Sequence, residues 1–191
     1  MGLPYGFKAK ANRIALDFRK RLGLKPESPI DLNSLAEILE IPIVPLSAFR
    51  KSHPDQVRQL TRFDRDAFSA VLIPLGGNMR ILLVNDSHSR GRQNSSIAHE
   101  LSHVILKHPP TALFDSSGKR NYDDGIEGEA NCLAGLILIT NEAAMYIVDS
   151  SLPPSEARDL YGVSNDMLQY RLNISGARLR AARTRKYSRT S

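Results

Sequence analysis

Gln93-Asn94-Ser95-Ser96-Ile97-Ala98-His99-Glu100-Leu101-Ser102-His103-Val104-Ile105-Leu106 decides how this chain is read. Ile97, Ala98, Leu101, Val104, Ile105 and Leu106 predict a largely buried helix. Asn94, Ser95 and Ser96 form a capping cluster before it, and Pro109-Pro110 are expected to stop it after about His108. Residues four apart on a helix lie about 40° apart around the axis and roughly 6 Å along it, so His99 and His103 can present two imidazoles to one ion. Glu100 is turned about 100° from His99, placing it toward a water on the ion rather than the ion itself. That is the mechanical content of H-E-x-x-H, a zinc-peptidase pattern. The plainer reading, two packed or solvated histidines, is opposed by the apolar helix around them, because buried imidazoles need partners.

A third ligand must come from elsewhere. His108 lies five residues past His103, about 140° round a continuing helix, and adjoins Pro109. A three-histidine site of the metzincin kind would need Gly and His where Leu106 and Pro109 stand. An Asp or Glu is therefore expected. Glu127 and Glu129 are the candidates, at the start of a predicted helix over about Ile126 to Ile139. Two residues apart, they point to nearly opposite sides, so only one binds, and spacing does not choose between them. Either is also a residue type that favours a helix N-terminus.

Outward from the motif, Phe68 to Pro74 and Met79 to Asn85 are apolar runs joined by Gly76-Gly77-Asn78, a β-hairpin. Its edge offers an extended peptide somewhere to lie. Two amphipathic helices are predicted upstream, Asn12 to Leu22 and Leu32 to Glu40, the second capped by Asp31 or Ser34. Ile41 to Leu46, broken by Pro42 and Pro45, is at best an edge strand. Residues 109–125 read as loop, and three or four short helices follow Asn141. The fold class is α+β, with a small antiparallel sheet. The expected organisation is a catalytic domain over 1–150, a helix-turn-helix-like extension over 151–177, and a basic, flexible tail over 178–191.

Composition bounds the rest. With 191 residues, 41% hydrophobic and 24% charged, the chain can bury a core unaided. Its single cysteine excludes an intrachain disulfide and a cysteine-rich structural zinc site. No signal-peptide core and no apolar run of membrane-spanning length is present, so a cytoplasmic protein without a membrane partner is expected. The net charge of +6 is concentrated after Met167, where Arg171, Arg178, Arg180, Arg183, Arg185, Lys186 and Arg189 stand without an acid. Such a tail either attracts nucleic acid or an acidic partner, or is simply solvated.

The stretch Gln93 to His103, followed by Glu127-Gly128-Glu129-Ala130-Asn131-Cys132-Leu133-Ala134, resembles the ImmA/IrrE family of metallopeptidases. Pro29-Ile30-Asp31-Leu32 with Leu35-Ala36, and Gly162-Val163-Ser164 with Arg171-Leu172, extend the similarity over most of the chain. The resemblance implies a zincin-like fold, with Zn2+ held by His99, His103 and Glu129 and with Glu100 as general base. It also implies a helix-turn-helix repressor as substrate, cleaved to relieve repression of stress-response or mobile-element genes. Ser102 stands where the family usually has Gly, and Ile139-Thr140 where Met-Pro is common.

The remaining features have two readings each. Cys132, inside an apolar run, is expected to be core rather than ligand or thiol switch. Arg90 and Arg92 either hold a substrate carbonyl or are solvated. Tyr161 and Tyr170 are phenols able to stabilise an oxyanion if folded over the ion. Ala157 to Leu172, with Gly162 at the turn, resembles a helix-turn-helix. Its second helix offers Asn165, Asp166, Gln169 and one Arg, which suits a structural or repressor-docking role better than DNA readout. The alternative to a peptidase is a regulator that binds DNA, or sequesters a repressor, with a non-catalytic zinc site.

Overall fold

The chain enters α1 (Phe7–Arg21) through Gly6 in the left-handed region at φ 76°, five residues earlier than its sequence predicts. Asn12, the expected start, is instead buried, and its side chain serves another element. Its Oδ1 accepts from the backbone of Asn141 at 3.0 Å and its Nδ2 donates to the Glu142 carboxylate. Phe7, Ala11, Ala15 and Phe18 form the buried stripe of α1. The computed structural model describes residues 2–77, 79–109 and 123–187, without the side chains of 184–187. The expected loop over 109–125 therefore lies almost wholly outside the described residues, as do Pro110, Asn78 of the hairpin turn and Arg189.

Asp31 caps α2 (Leu32–Ile38), accepting from the Ser34 backbone at 3.0 Å. Then β1 (Ile43–Pro45), a short 3-10 turn and α3 (Pro54–Arg58) precede β2 (Ala70–Gly76) and β3 (Met79–Val84). The hairpin β2–β3 is antiparallel as predicted, with Val71 opposite Leu83 and Ile73 opposite Ile81. The sheet as a whole is mixed rather than antiparallel. Its order is β1-β3-β2, and β1 lies parallel to β3. The chain leaves β1, crosses through α3 and returns as β2 and β3, so β1 runs alongside β3 in the same direction. Pro42 cannot donate to the ladder, but its carbonyl accepts from Leu82 at 2.9 Å. That arrangement leaves β2 as an edge.

Behind the sheet lie α4 (Arg90–Ile105) and α5 (Asp124–Leu138), which pack on each other. α4 begins before the expected Asn94 cluster, because Asn94 is occupied by a tertiary contact: its Nδ2 donates to the Gly162 carbonyl at 2.8 Å. α5 is buried from Cys132 onward and is the centre of the core. Two buried arginines satisfy carbonyls at its C-terminal end. Arg19 donates to Ile137 at 2.8 Å and Arg171 to Ile139 at 2.8 Å. Burial lowers both guanidinium pKa values, that of Arg19 to about 10.

α6 (Asn141–Asp149), α7 (Pro154–Tyr161), α8 (Asn165–Ile174) and α9 (Ala177–Tyr187) complete the described chain. Ala157, Tyr161, Val163, Leu168 and Leu172 belong to the same buried cluster as α4 and α5. The segment over 178–191 expected to be a flexible tail is helical through Tyr187, with Ala181 buried. No single helix among the described residues is long and apolar enough to cross a membrane.

Candidate metal centre

His99 and His103 lie on one face of α4, their Nε2 atoms 3.1 Å apart. Glu127 reaches them from the first turn of α5, with one carboxylate oxygen 3.2 Å from His99 Nε2 and the other 3.5 Å from His103 Nε2. Four donors about 2.0–2.1 Å from a central ion at tetrahedral angles stand about 3.3 Å from one another. The three separations here bracket that value, so the donor set fits a small divalent cation in both chemistry and size. Burial, helped by neighbouring His99 and His108, lowers the His103 pKa to about 4, which leaves its lone pair available near neutrality.

Glu129 does not join the pair, although the resemblance placed it there. About 200° of helical rotation separates it from Glu127. Its Oε2 instead lies 3.4 Å from His108 Nε2. Asn131, four residues after Glu127 and so on its face, puts its Oδ1 3.0 Å from His99 Nδ1. An Nδ1–H donated to that oxygen directs the bare Nε2 of His99 at the cluster. Sequence reasoning missed Asn131 as a site residue; the signal available was its i, i+4 spacing from Glu127. Glu100 is half-buried, one position from His99.

The residues around the site fall into place by their contacts. Arg92 is paired with Asp66 at 2.6 Å and bonds Ser69, while Arg90 reaches the Asp159 carbonyl at 3.5 Å. The Tyr161 hydroxyl is committed to the Glu27 carbonyl at 2.7 Å, and burial pushes its pKa up to about 12. Tyr170 lies beside Gly135, eight residues along α5 from Glu127. Cys132 is buried in the core, and burial raises its thiol pKa. Ser102 is fully buried, with its hydroxyl turned back to the Ala98 carbonyl at 2.7 Å. Thr140 accepts from Ala143 N and donates to the Pro26 carbonyl, both at 2.9 Å, so it caps α6. The turn between α7 and α8 is closed against α4: a Cβ on Gly91 would stand 2.7 Å from Ser164 N.

An α+β domain whose H-E-x-x-H helix meets a Glu-bearing helix behind a three-stranded sheet is a zincin-like peptidase fold. The chain belongs to the M78 peptidase family, whose IrrE N-terminal-like domain matches residues 43–173. That match spans β1 to α8 and includes every residue of the cluster. No curated protein matches the chain. It is therefore a peptidase of the ImmA/IrrE type, with a site suited to a metal ion.

Proposed function

We propose that the protein is a zinc-dependent endopeptidase, with the ion held by His99, His103 and Glu127. The observation that carries the reading is the convergence of two Nε2 atoms and one carboxylate at tetrahedral spacings. Glu129, the ligand implied by the resemblance, is replaced in this reading by Glu127, because of the two acids it is Glu127 that faces both imidazoles. When bound, the ion supplies Lewis acidity, which acidifies water and polarises a scissile carbonyl. Glu100 takes the proton of the attacking water and returns it to the leaving amine. Asn131 holds the His99 ring in place. Among the described residues β2 is an edge strand packed on α4, and its outer edge gives an extended substrate a ladder on which to lie beside the site.

The substrate we propose is a helix-turn-helix repressor, on the strength of the family, and its cleavage would relieve repression. The exposed face of α8, with Asp166 and Tyr170, is available for docking such a partner. Metal analysis joined to a cleavage assay on a repressor encoded beside the protein tests this function. Close to one zinc per chain and chelator-sensitive cleavage are expected. His99→Ala, His103→Ala and Glu127→Gln should lose most of the metal. Full zinc in all three variants would reject the ligand set.

A further inference from the structure

α4 does not end as a helix running into Pro109. Lys107 adopts φ 57°, in the left-handed region where a lysine is disfavoured, and the chain folds back on itself. Lys107 N donates to the Val104 carbonyl at 3.0 Å and His108 N to the His103 carbonyl at 2.9 Å. These are the paired bonds of a Schellman C-cap. The reversal carries His108 back to His103, a position that no continuing helix would allow. Their Nδ1 atoms are 3.0 Å apart, and the His108 side chain is only 8% exposed. On its far side, His108 Nε2 faces Glu129 Oε2 at 3.4 Å.

This chain of contacts has a direction. One of the two facing Nδ1 atoms must carry the proton between them. If His108 carried it there and left Nε2 bare, that nitrogen would confront the Glu129 carboxylate, two acceptors without a donor. With the proton on His108 Nε2, the carboxylate accepts it, His108 Nδ1 becomes an acceptor, and His103 must donate from Nδ1. The His103 lone pair is then on Nε2, the atom that faces His99 and Glu127. The carboxylate thereby selects the tautomer of a ring it does not touch.

We propose that His108 and Glu129 are positioning residues, forming a relay that fixes His103 in its ligating tautomer and orientation. This rests on the zinc reading of His99, His103 and Glu127. It also gives Glu129 a task that is not ligation. Outer partners of this kind typically contribute about 10–100-fold to metal affinity.

The test is zinc affinity, measured by competition with a chromophoric chelator on the full chain, with far-UV circular dichroism as a check of fold. His108→Ala and Glu129→Ala should each still bind one zinc, with Kd raised about 10–100-fold. Because the two act in series, the double variant should be no weaker than the weaker single one. His108→Asn keeps an acceptor near the Nδ1 position. It should recover to within about threefold of the parent, and adding Glu129→Ala should not change it further. Parental affinity in both alanine variants would overturn the relay. So would loss of zinc stoichiometry in Glu129→Ala, which would make Glu129 a ligand. If His108→Ala fails to fold, Glu129→Ala and His108→Asn carry the same comparison. A parent that binds no zinc, or Glu127→Gln binding it normally, refutes the underlying ligand set instead, and the relay with it.

Discussion

Glu127 and Glu129 show how much one helical rotation decides. The sequence presents them as equivalents, and rotation about the axis alone says that only one can serve the histidines. Choosing between them needs the placement of α5 against α4, which no local spacing contains. Asn131 was the usable signal: a residue four positions after Glu127 shares its face and can hold the imidazole of His99. His103 gives a test of the cluster without its ion. Its pKa is lowered from 6.5 to about 4, chiefly by burial, so between those values the unfolded chain binds a proton that the folded site resists. That contribution to stability is complete above pH 6.5 and is lost as pH falls toward 4. Urea melts of metal-free protein should show a lower midpoint at pH 5 than at pH 7. An unchanged midpoint would contradict a neutral, buried imidazole. Cys132 makes a simpler case. Its burial raises the thiol pKa, so the native protein should resist iodoacetamide at pH 8 and react only when unfolded. Rapid native alkylation would show that the core around α5 opens.

Among the elements, the interiors of helices were more legible than their ends. Apolar periodicity located α1, α2, α4 and α5, and Asp31 caps α2 as expected, while two other residues that mark helix starts in the sequence are engaged elsewhere. Asn12 and Asn94 both look like helix starts in sequence, and both make long-range bonds, to α6 and to Gly162. The α4 terminus was misjudged for another reason. A lysine in the left-handed region leaves no compositional mark, whereas a glycine there would have signalled the cap. Lys107→Gly should therefore relieve strain and raise stability by up to about 1 kcal/mol, offset in part by the entropy of a glycine in the unfolded chain. A clear loss would mean that the lysine side chain is itself holding the turn. Gly91 has the opposite prospect. Its first-turn position on α4 meets the backbone of Ser164, which cannot retreat as a side chain can. Gly91→Ala should cost about 1–3 kcal/mol in chemical denaturation and loosen the α7–α8 hairpin from the metal helix. Parental stability in that variant would show that the hairpin docks less tightly than its geometry indicates.

Across the whole molecule, α5 joins the site to the core: its first turn supplies Glu127 and its last turn ends in carbonyls held by Arg19 and Arg171. A change at the far end should thus be felt as stability. Arg19→Leu removes donors to Ser28, Ala15 and Ile137 together and should cost about 2–4 kcal/mol, leaving zinc stoichiometry intact in whatever remains folded. The fold class followed from the order of periodic segments, and the hairpin from its Gly-Gly turn. The parallel pairing of β1 did not, because a three-residue strand between prolines has too little pattern to specify a neighbour. Within the basic segment, the periodic charges gave no sign of the helix over its described part or of the burial of Ala181. Catalysis by the proposed mechanism turns on Glu100, which that mechanism uses as a base and not as a ligand. Zinc content and repressor cleavage should be measured side by side for the parent and Glu100→Gln. Zinc should be retained and cleavage lowered at least about 100-fold, because the amide cannot accept the proton of the attacking water. Undiminished cleavage by Glu100→Gln would remove Glu100 from the mechanism.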